Sequence, residues 1–588
     1  MSAPVRRGNP ATAGYERRAR REEFGMAEGA IGPSAGPALR QQIEYDVIIL
    51  GAGLAGSVLG AILARNGARV VIVDAGTHPK FAIGESMIPY TLLALRTISE
   101  RYDVPEIATL ASFDSCVKDI NTSFGWKKHF GFMRHETGKE PDPAESNQFN
   151  TPGVLNKSSH LFRQDTDSYL FNAAVRYGCD SMLSTRVDDV DFDEDSVSVI
   201  TAGGQSVKGR YLVDASGFRS PLADKLELRE QPCRFKHHSR SLFTHVVNVK
   251  STDEALRHTK SERPPVPWSH GTMHHLFDRG WFWVIPFNNN PYSKNPLVSV
   301  GVTMDPRRYP KQGDTAPEEE FFEFASRFPA VEREFHRARA VRPWVSTGRL
   351  QYSSSRSVGD RWCLMSHAAG FLDPLFSRGL SNTAEVINAL AGRLLSALED
   401  DDFSAERFAY VEKLEQGLLD YNDELVNCAY IAFDCYELWN AVFRIWSFGS
   451  VLGAFRLQKA MTRFRRTGDD SVLRELENAP NTGLWWPDHE EYAKLFRLMV
   501  DRVEAYERGE VTGAQAADRL FTELEQADYI PPGVGFNDRN QPFLYPTPSK
   551  LLRTVSWVAG DAPRDVRDLV GGTAKEVVKA RLRGTRLF

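Results

Sequence analysis

From Val47 to Ala64 the chain runs VIILGAGLAGSVLGAILA without a charged residue, long enough for an apolar segment to cross a bilayer. Its glycines argue against a span. A β-branched stretch runs into Gly51, Gly53 and Gly56, and only from Leu54 to Asn66 do apolar positions recur at helical spacing, so the pattern predicts strand, tight turn, helix. A second strand, Arg69 to Val73, ends in Asp74, about 20 residues past the glycines, where a ribose-binding acid is expected of a dinucleotide site. Gly51 permits the turn, Gly53 lets the backbone approach a pyrophosphate, and Gly56 lets helix and strand pack closely. The helix start at Leu54 and Ala55 offers N–H groups to the anion, and Ala75 follows the acid.

The same alternation recurs far downstream. Leu161 to Tyr177 reads as an amphipathic helix opened by Arg163 and Asp165. Tyr211 to Ser220 reads as a strand entering a glycine turn, and Arg361 to Leu395 as strand, turn and long helix. Phe243 to Val302, between them, is β-rich and aromatic. Each β-turn-α unit needs the same sheet to bury its apolar face, so the expectation is an α/β fold with a discontinuous nucleotide domain and an inserted β-sheet domain. The expected divisions are a disordered tail over 1–43; the nucleotide domain over 44–125, 155–233 and 340–398; the insert over 126–154 and 234–339; and a helical region over 399–588, dense in aromatics such as Trp439, Trp446, Trp485 and Trp486.

Composition narrows the function classes. A net charge of -5 spread over 588 residues lacks the basic field a nucleic-acid binder needs, so no nucleic-acid partner is expected, and no membrane partner either. The six cysteines form no CxxC pair, which points to buried thiols and a cytoplasmic, reducing setting. Arg17, Arg18, Arg20 and Arg21 have no apolar run behind them, so no secretory leader is expected. The pairs His237-His238 and His274-His275 invite a metal reading. Adjacent strand residues face opposite ways and no carboxylate or cysteine spacing completes a site, so no metal is expected.

The later segments choose the nucleotide. Val213-Asp214-Ala215-Ser216-Gly217 and His367 to Pro374, containing Gly370 and Asp373, resemble the second and third fingerprints of flavoprotein monooxygenases of the p-hydroxybenzoate hydroxylase type. Trp281-Phe282-Trp283-Val284-Ile285-Pro286 matches the WxWxIP signature of flavin-dependent halogenases, and Gly84-Glu85-Ser86 matches their GES turn. Stretches such as HPKFAIGES, FRQDTDSYLF and MSHAAGFLDPLFSRGLSNT are similar to the subgroup of these halogenases that works in tetracycline antibiotic biosynthesis, from about Tyr45 to the C-terminal helices. In the wider flavoprotein pattern an acid in the third fingerprint binds the ribityl chain; here Ser366-His367 stand in its place, a trait of that subgroup.

The resemblance implies FAD as cofactor, held additionally by Arg163, Asp214, Gly217, Gly370, Asp373, Leu380 and Ser381, and a catalytic pair of Lys127 and Glu85. Lys127 lies among apolar and glycine residues that read as a strand entering the interior, with Lys128 on its opposite face as the fallback and Lys118 a distant third. Trp281, Trp283, Ile285 and Pro286 are expected to wall the flavin from the substrate. Chloride is expected in the turn at Ser377, Arg378 and Gly379, where backbone N–H groups can cradle an anion. Phe376 stands where the tryptophan enzymes carry a glutamate beside this serine, which argues against an indole substrate. Asp278 and Asp305 flank the tryptophan segment, and spacing alone does not place them at a flavin.

The implied reaction is chlorination of a phenolic, tetracycline-type polyketide ring, using oxygen, chloride and reduced FAD from a separate flavin reductase, by way of hypochlorous acid. A flavin aromatic hydroxylase and a flavin-binding protein without chemistry remain as alternatives.

Overall fold

The computed structural model describes residues 44–150, 158–311 and 313–572. The expected tail over 1–43, positions 151–157 and the last sixteen residues lie outside the described residues. The opening motif folds as strand β1 (Tyr45–Leu50), helix α1 (Leu54–Arg65) and strand β2 (Val70–Val73). An eight-stranded sheet forms around them. Trp362–Leu364, Ser206–Asp214, β1, β2 and Asp180–Met182 lie parallel in that order, with Val197–Thr201 and Val187–Phe192 added antiparallel beside Ser206–Asp214. Ile48 is in register with Leu212 on one side and Val71 on the other. All three are fully buried, as expected when helices cover a parallel sheet. Parallel strands deliver their carboxyl ends to one edge, so Leu50, Val73 and Asp214 end together and their turns share one crevice.

A second, nine-stranded sheet is mostly antiparallel. Arg240–Val247, Val298–Met304, Gly280–Pro286, Thr272–Phe277, His129–Arg134 and Ser146–Asn150 follow one another, so the WxWxIP strand is central. Five helices, Gly379–Asp400, Ala409–Ala432, Tyr436–Thr467, Glu490–Glu507 and Gly513–Gln526, supply much of the remaining core. No helix among the described residues is long and apolar enough to cross a membrane.

Several expectations change at the level of elements. Lys127 is not inside a strand: one strand stops at Trp126, the next starts at His129, and the two lysines form the step between them. The region expected to be helical from residue 399 contributes Phe543–Leu544 to the second sheet, a two-residue strand too short to show a period. The β-rich stretch from Phe243 is interrupted by a helix at Thr252–Leu256 before the next strand starts at Thr272.

Candidate active site

At the carboxyl edge of the first sheet, Gly51 adopts φ +100°, and a Cβ there would lie 2.6 Å from the Ala215 carbonyl oxygen. A Cβ on Gly56 would stand 2.0 Å from the Gly51 oxygen, so only glycine lets α1 close on the turn. Gly53 is different: nothing lies within 4 Å of where its Cβ would be, and no side chain caps α1, so the helix start is left open to an anion. Asp74 accepts hydrogen bonds from the N–H of Ala52 at 2.6 Å and of Gly76 at 2.7 Å and pairs with Lys80, which together hold its carboxyl below the usual range. Leu54 is buried, Ala55 half-buried, and Ala75 exposed beside the acid. Narrow contacts behind and open backbone in front fit an FAD pyrophosphate and ribose.

Asp214 does not face that opening. Its carboxylate is buried within its own turn, accepting from Ser216 N at 2.9 Å, Ser216 Oγ at 2.5 Å and Ser220 Oγ at 2.6 Å, so it shapes the loop that carries Gly217 (φ +81°). The expected direct contact with cofactor is thereby replaced by a structural role.

A cavity of about 170 Å³ gathers ten of the expected residues on its walls: Glu85, Arg163, Trp281, Trp283, Ile285, Gly370, Asp373, Ser377, Gly379 and Leu380. Pro286 and Ser381 stand just behind the lining. The Pro286 carbonyl bonds His160, and Ser381 Oγ donates to the Arg378 carbonyl. Arg163 grips Asp167 with two nitrogens and the Ile83 carbonyl with a third.

Each indole of the wall is held by a hydroxyl that is itself tied to a carboxylate. Trp281 Nε1 donates to Tyr430 OH at 3.0 Å, which donates to Asp373 at 2.8 Å. Trp283 Nε1 donates to Ser299 Oγ at 3.3 Å, which donates to Glu85 at 3.0 Å; the other Glu85 oxygen bonds His245 Nε2 at 2.8 Å. Glu85 thus has both oxygens engaged in holding the wall. A neutral N–H cannot rotate freely against such chains, so the rings, with centroids 5.7 Å apart, are fixed relative to the sheet.

Lys127 is only 2 % exposed and does not itself line the cavity. Its Nζ donates to Thr272 Oγ1 at 2.8 Å, and Thr272 lines the cavity. Burial pushes its ammonium well below the ordinary lysine value. The Lys127 N–H bonds the Ser158 carbonyl and the Lys128 N–H the His270 carbonyl, so their side chains part: Lys128 lies over the Trp126 ring, half-buried. Lys118 is exposed.

Arg378 turns away from the cavity. Its Nη2 donates to the Gly483 carbonyl at 2.7 Å, Nε to Asn382 at 2.9 Å, and the guanidinium lies 4.0 Å from the Trp485 ring centre. A buried guanidinium goes where acceptors and an aromatic face are offered. What remains beside Ser377 (φ +52°) is the turn itself. Asp278 and Asp305 pair with Arg308 and Arg307 instead of lining the cavity. His274 Nδ1 bonds the Gly131 carbonyl, while His275 pairs with Glu334.

Thr272 and Glu415 also line the cavity and were not marked by the sequence. Thr272 is an unremarkable hydroxyl there and meets Ser86 of the GES turn only through the fold. Glu415, from the helix Ala409–Ala432, accepts from the Ser366 N–H at 3.1 Å, and burial pushes its carboxyl up to about 8. Its helix register marks it as a carboxylate on an apolar face, a signal that was available.

A parallel-sheet nucleotide turn, a cavity walled by two pinned indoles and a buried lysine one hydrogen bond from that cavity are together the features of a flavoenzyme. Comparison with known proteins agrees. The tryptophan halogenase family matches residues 137–441 and an FAD binding domain matches residues 44–81. The chain is 54% identical over 91% of its length to tetracycline 7-halogenase of Kitasatospora aureofaciens, covering 96% of that protein. It is 47% identical over 89% of its length to monodechloroaminopyrrolnitrin halogenase PrnC of Pseudomonas fluorescens, covering 93% of it. The crystal structure of halogenase PltM with phloroglucinol and FAD superposes with a TM-score of 0.82 at 34% identity, covering 85% of this chain and 99% of that one. The chain belongs to the tryptophan halogenase family, and it is a flavin-dependent halogenase.

Proposed function

We propose that this halogenase chlorinates a phenolic ring of a tetracycline-type polyketide, and that Lys127 is the group that delivers chlorine to it. The carrying observation is the placement of Lys127: a buried amine, held by burial well below the ordinary lysine value, one hydrogen bond from a cavity walled by Trp281 and Trp283. The relationship to tetracycline 7-halogenase supports the substrate class.

The helix start at Gly53 to Gly56 and Asp74 would bind the pyrophosphate and ribose of FAD, and Arg163, Gly370, Asp373 and Leu380 would border its ring. Bound there in its reduced form, FAD would supply hypochlorous acid from oxygen, chloride and a proton, being oxidised while the second oxygen atom leaves as water. The turn Ser377 to Gly379 would hold the chloride through the N–H groups of Arg378 and Gly379, that of Ser377 being donated to the Pro374 carbonyl. Trp281 and Trp283, pinned through Tyr430 and Ser299, block direct contact between cofactor and substrate while the small oxidant passes. The Lys127 amine then takes chlorine from hypochlorous acid: N–Cl forms, O–Cl breaks, and the amine proton leaves with the hydroxyl as water. A ring carbon ortho or para to the phenol attacks that chlorine, and the ring proton returns to nitrogen. A phenol activates its own ring, so no carboxylate is needed at Phe376, which packs instead on Trp446 at 4.7 Å.

Addition of NADH or NADPH to the FAD-loaded protein alone tests the dependence on a separate reductase. No flavin reduction is expected; steady consumption with oxygen insertion would move the reading to an aromatic hydroxylase.

A further inference from the structure

The Thr272 hydroxyl meets three groups: Lys127 Nζ at 2.8 Å, Ser86 Oγ at 2.9 Å and His160 Nε2 at 3.0 Å. A hydroxyl has one proton to give and two lone pairs to receive with, so these partners fill it and only one of them is the receiver. His160 decides which. Its Nδ1 lies 2.9 Å from the Pro286 carbonyl, an obligate acceptor, so Nδ1 carries the ring proton. Burial pushes the imidazole down to about 3, leaving the ring neutral and Nε2 with a bare lone pair. The Thr272 proton therefore points to His160, and its oxygen receives from Lys127 and Ser86. Ser377 donates to Ser86 at 3.2 Å, so a row of hydroxyls runs in one direction from the halide turn to His160.

The backbone holds this arrangement firmly. His160 is paired with Gly125 and bridged to Ser86, and a Cβ on Gly125 would stand 2.1 Å from the Pro286 oxygen. The second direction at Lys127 is also taken: Nζ lies 3.4 Å from the centre of the Phe130 ring. The face of that ring is electron-rich, so it receives an N–H and repels a lone pair. A neutral amine has two N–H bonds; Thr272 and Phe130 receive them.

We propose that His160 is a positioning residue for Lys127: by drawing the Thr272 proton to itself, it keeps Thr272 an acceptor toward Nζ and leaves the amine lone pair uncapped for an electrophile. Without that acceptor the Thr272 hydroxyl turns and donates to the amine, the strongest base within reach, and ties up the pair. The inference rests on the reading of Lys127 as the reactive amine.

Carbamylation by cyanate tests it on the full-length protein. Isocyanic acid adds across the N–H of a neutral amine to give a urea, with no redox change, and mass spectrometry reads the adduct at Lys127. His160→Asn keeps a donor for Pro286 and removes the acceptor; it is expected to react about tenfold more slowly, the weight of one buried hydrogen bond. His160→Gln restores an acceptor near the Nε2 position and should recover the rate. So should His160→Asn combined with Thr272→Val, which has no hydroxyl to turn. Equal rates in His160→Asn and the unaltered protein, no reaction at Lys127 in either, or a loss that Thr272→Val does not relieve overturns the proposal. Nitrogen NMR of the His160 ring in the unaltered protein is a second test independent of any variant: Nδ1–H is expected, and Nε2–H contradicts it. Chlorination retained by a Lys127 variant would remove the functional reading alone, since the cyanate ranking does not depend on halogenation.

Discussion

Replacing Lys127 with methionine is expected to lower chlorinated product by about 10³-fold, within the range of a positioned catalytic group, while reduced flavin and oxygen continue to be consumed. Methionine fills the space of the lysine stem without a nitrogen, so the wall and the cavity survive and only the chlorine carrier is lost. The same variant carries a second signature. An unfolded lysine titrates near 10.4, whereas burial holds the folded Lys127 well below that. Between the folded and the unfolded value the unfolded chain therefore binds a proton that the folded chain sheds, folding works against this group, and stability rises with pH toward the ordinary lysine range. Methionine removes that penalty. Its melting temperature is expected to exceed that of the unaltered protein at pH 7 and to converge with it near the ordinary lysine pKa. Product formation within a fewfold of normal would sink the assignment of Lys127, and a melting temperature lowered equally at all pH values would contradict the burial account.

Gly56→Ala is expected to cost about 1–3 kcal/mol of stability and to weaken FAD binding by at least about tenfold. The added Cβ would sit 2.0 Å from the Gly51 carbonyl oxygen and 3.0 Å from Ile49 Cγ2. The first is backbone in the turn that approaches the pyrophosphate, so relief of the clash opens the cofactor site. Gly53→Ala separates the two effects. Its Cβ meets nothing in the protein and points into the open approach, so binding falls while the melting temperature holds. Flavin fluorescence titration with thermal melts of both variants checks this. Unchanged FAD affinity in Gly56→Ala would contradict the role given to the turn.

The parts legible in the sequence were those written in short-range spacing. Gly51, Gly53, Gly56 and Asp74 lie within one β-turn-α-β unit, so their relation is local, and the structure keeps it. Trp281 and Trp283 share a face because strand residues two apart always do. Side-chain destinations set by distant segments were not legible. Arg378 follows Ser377 directly, yet its guanidinium answers to Gly483 and Trp485. Asp214 closes on Ser216 and Ser220, a purely local cap that the family fingerprint obscured. The hydroxyl row of Ser377, Ser86 and Thr272 joins three separated segments, so neither the halide turn nor the GES turn announces it.

Incubation of the protein with FAD, a flavin reductase, NADH, oxygen, chloride and a panel of tetracyclic phenols, followed by mass spectrometry, tests the central claim most directly. The account predicts a product in which one ring hydrogen is replaced by chlorine, formed only with chloride and the reductase present. A product gaining oxygen and no chlorine, or no chlorinated tetracyclic phenol while another aromatic class is chlorinated, would contradict it.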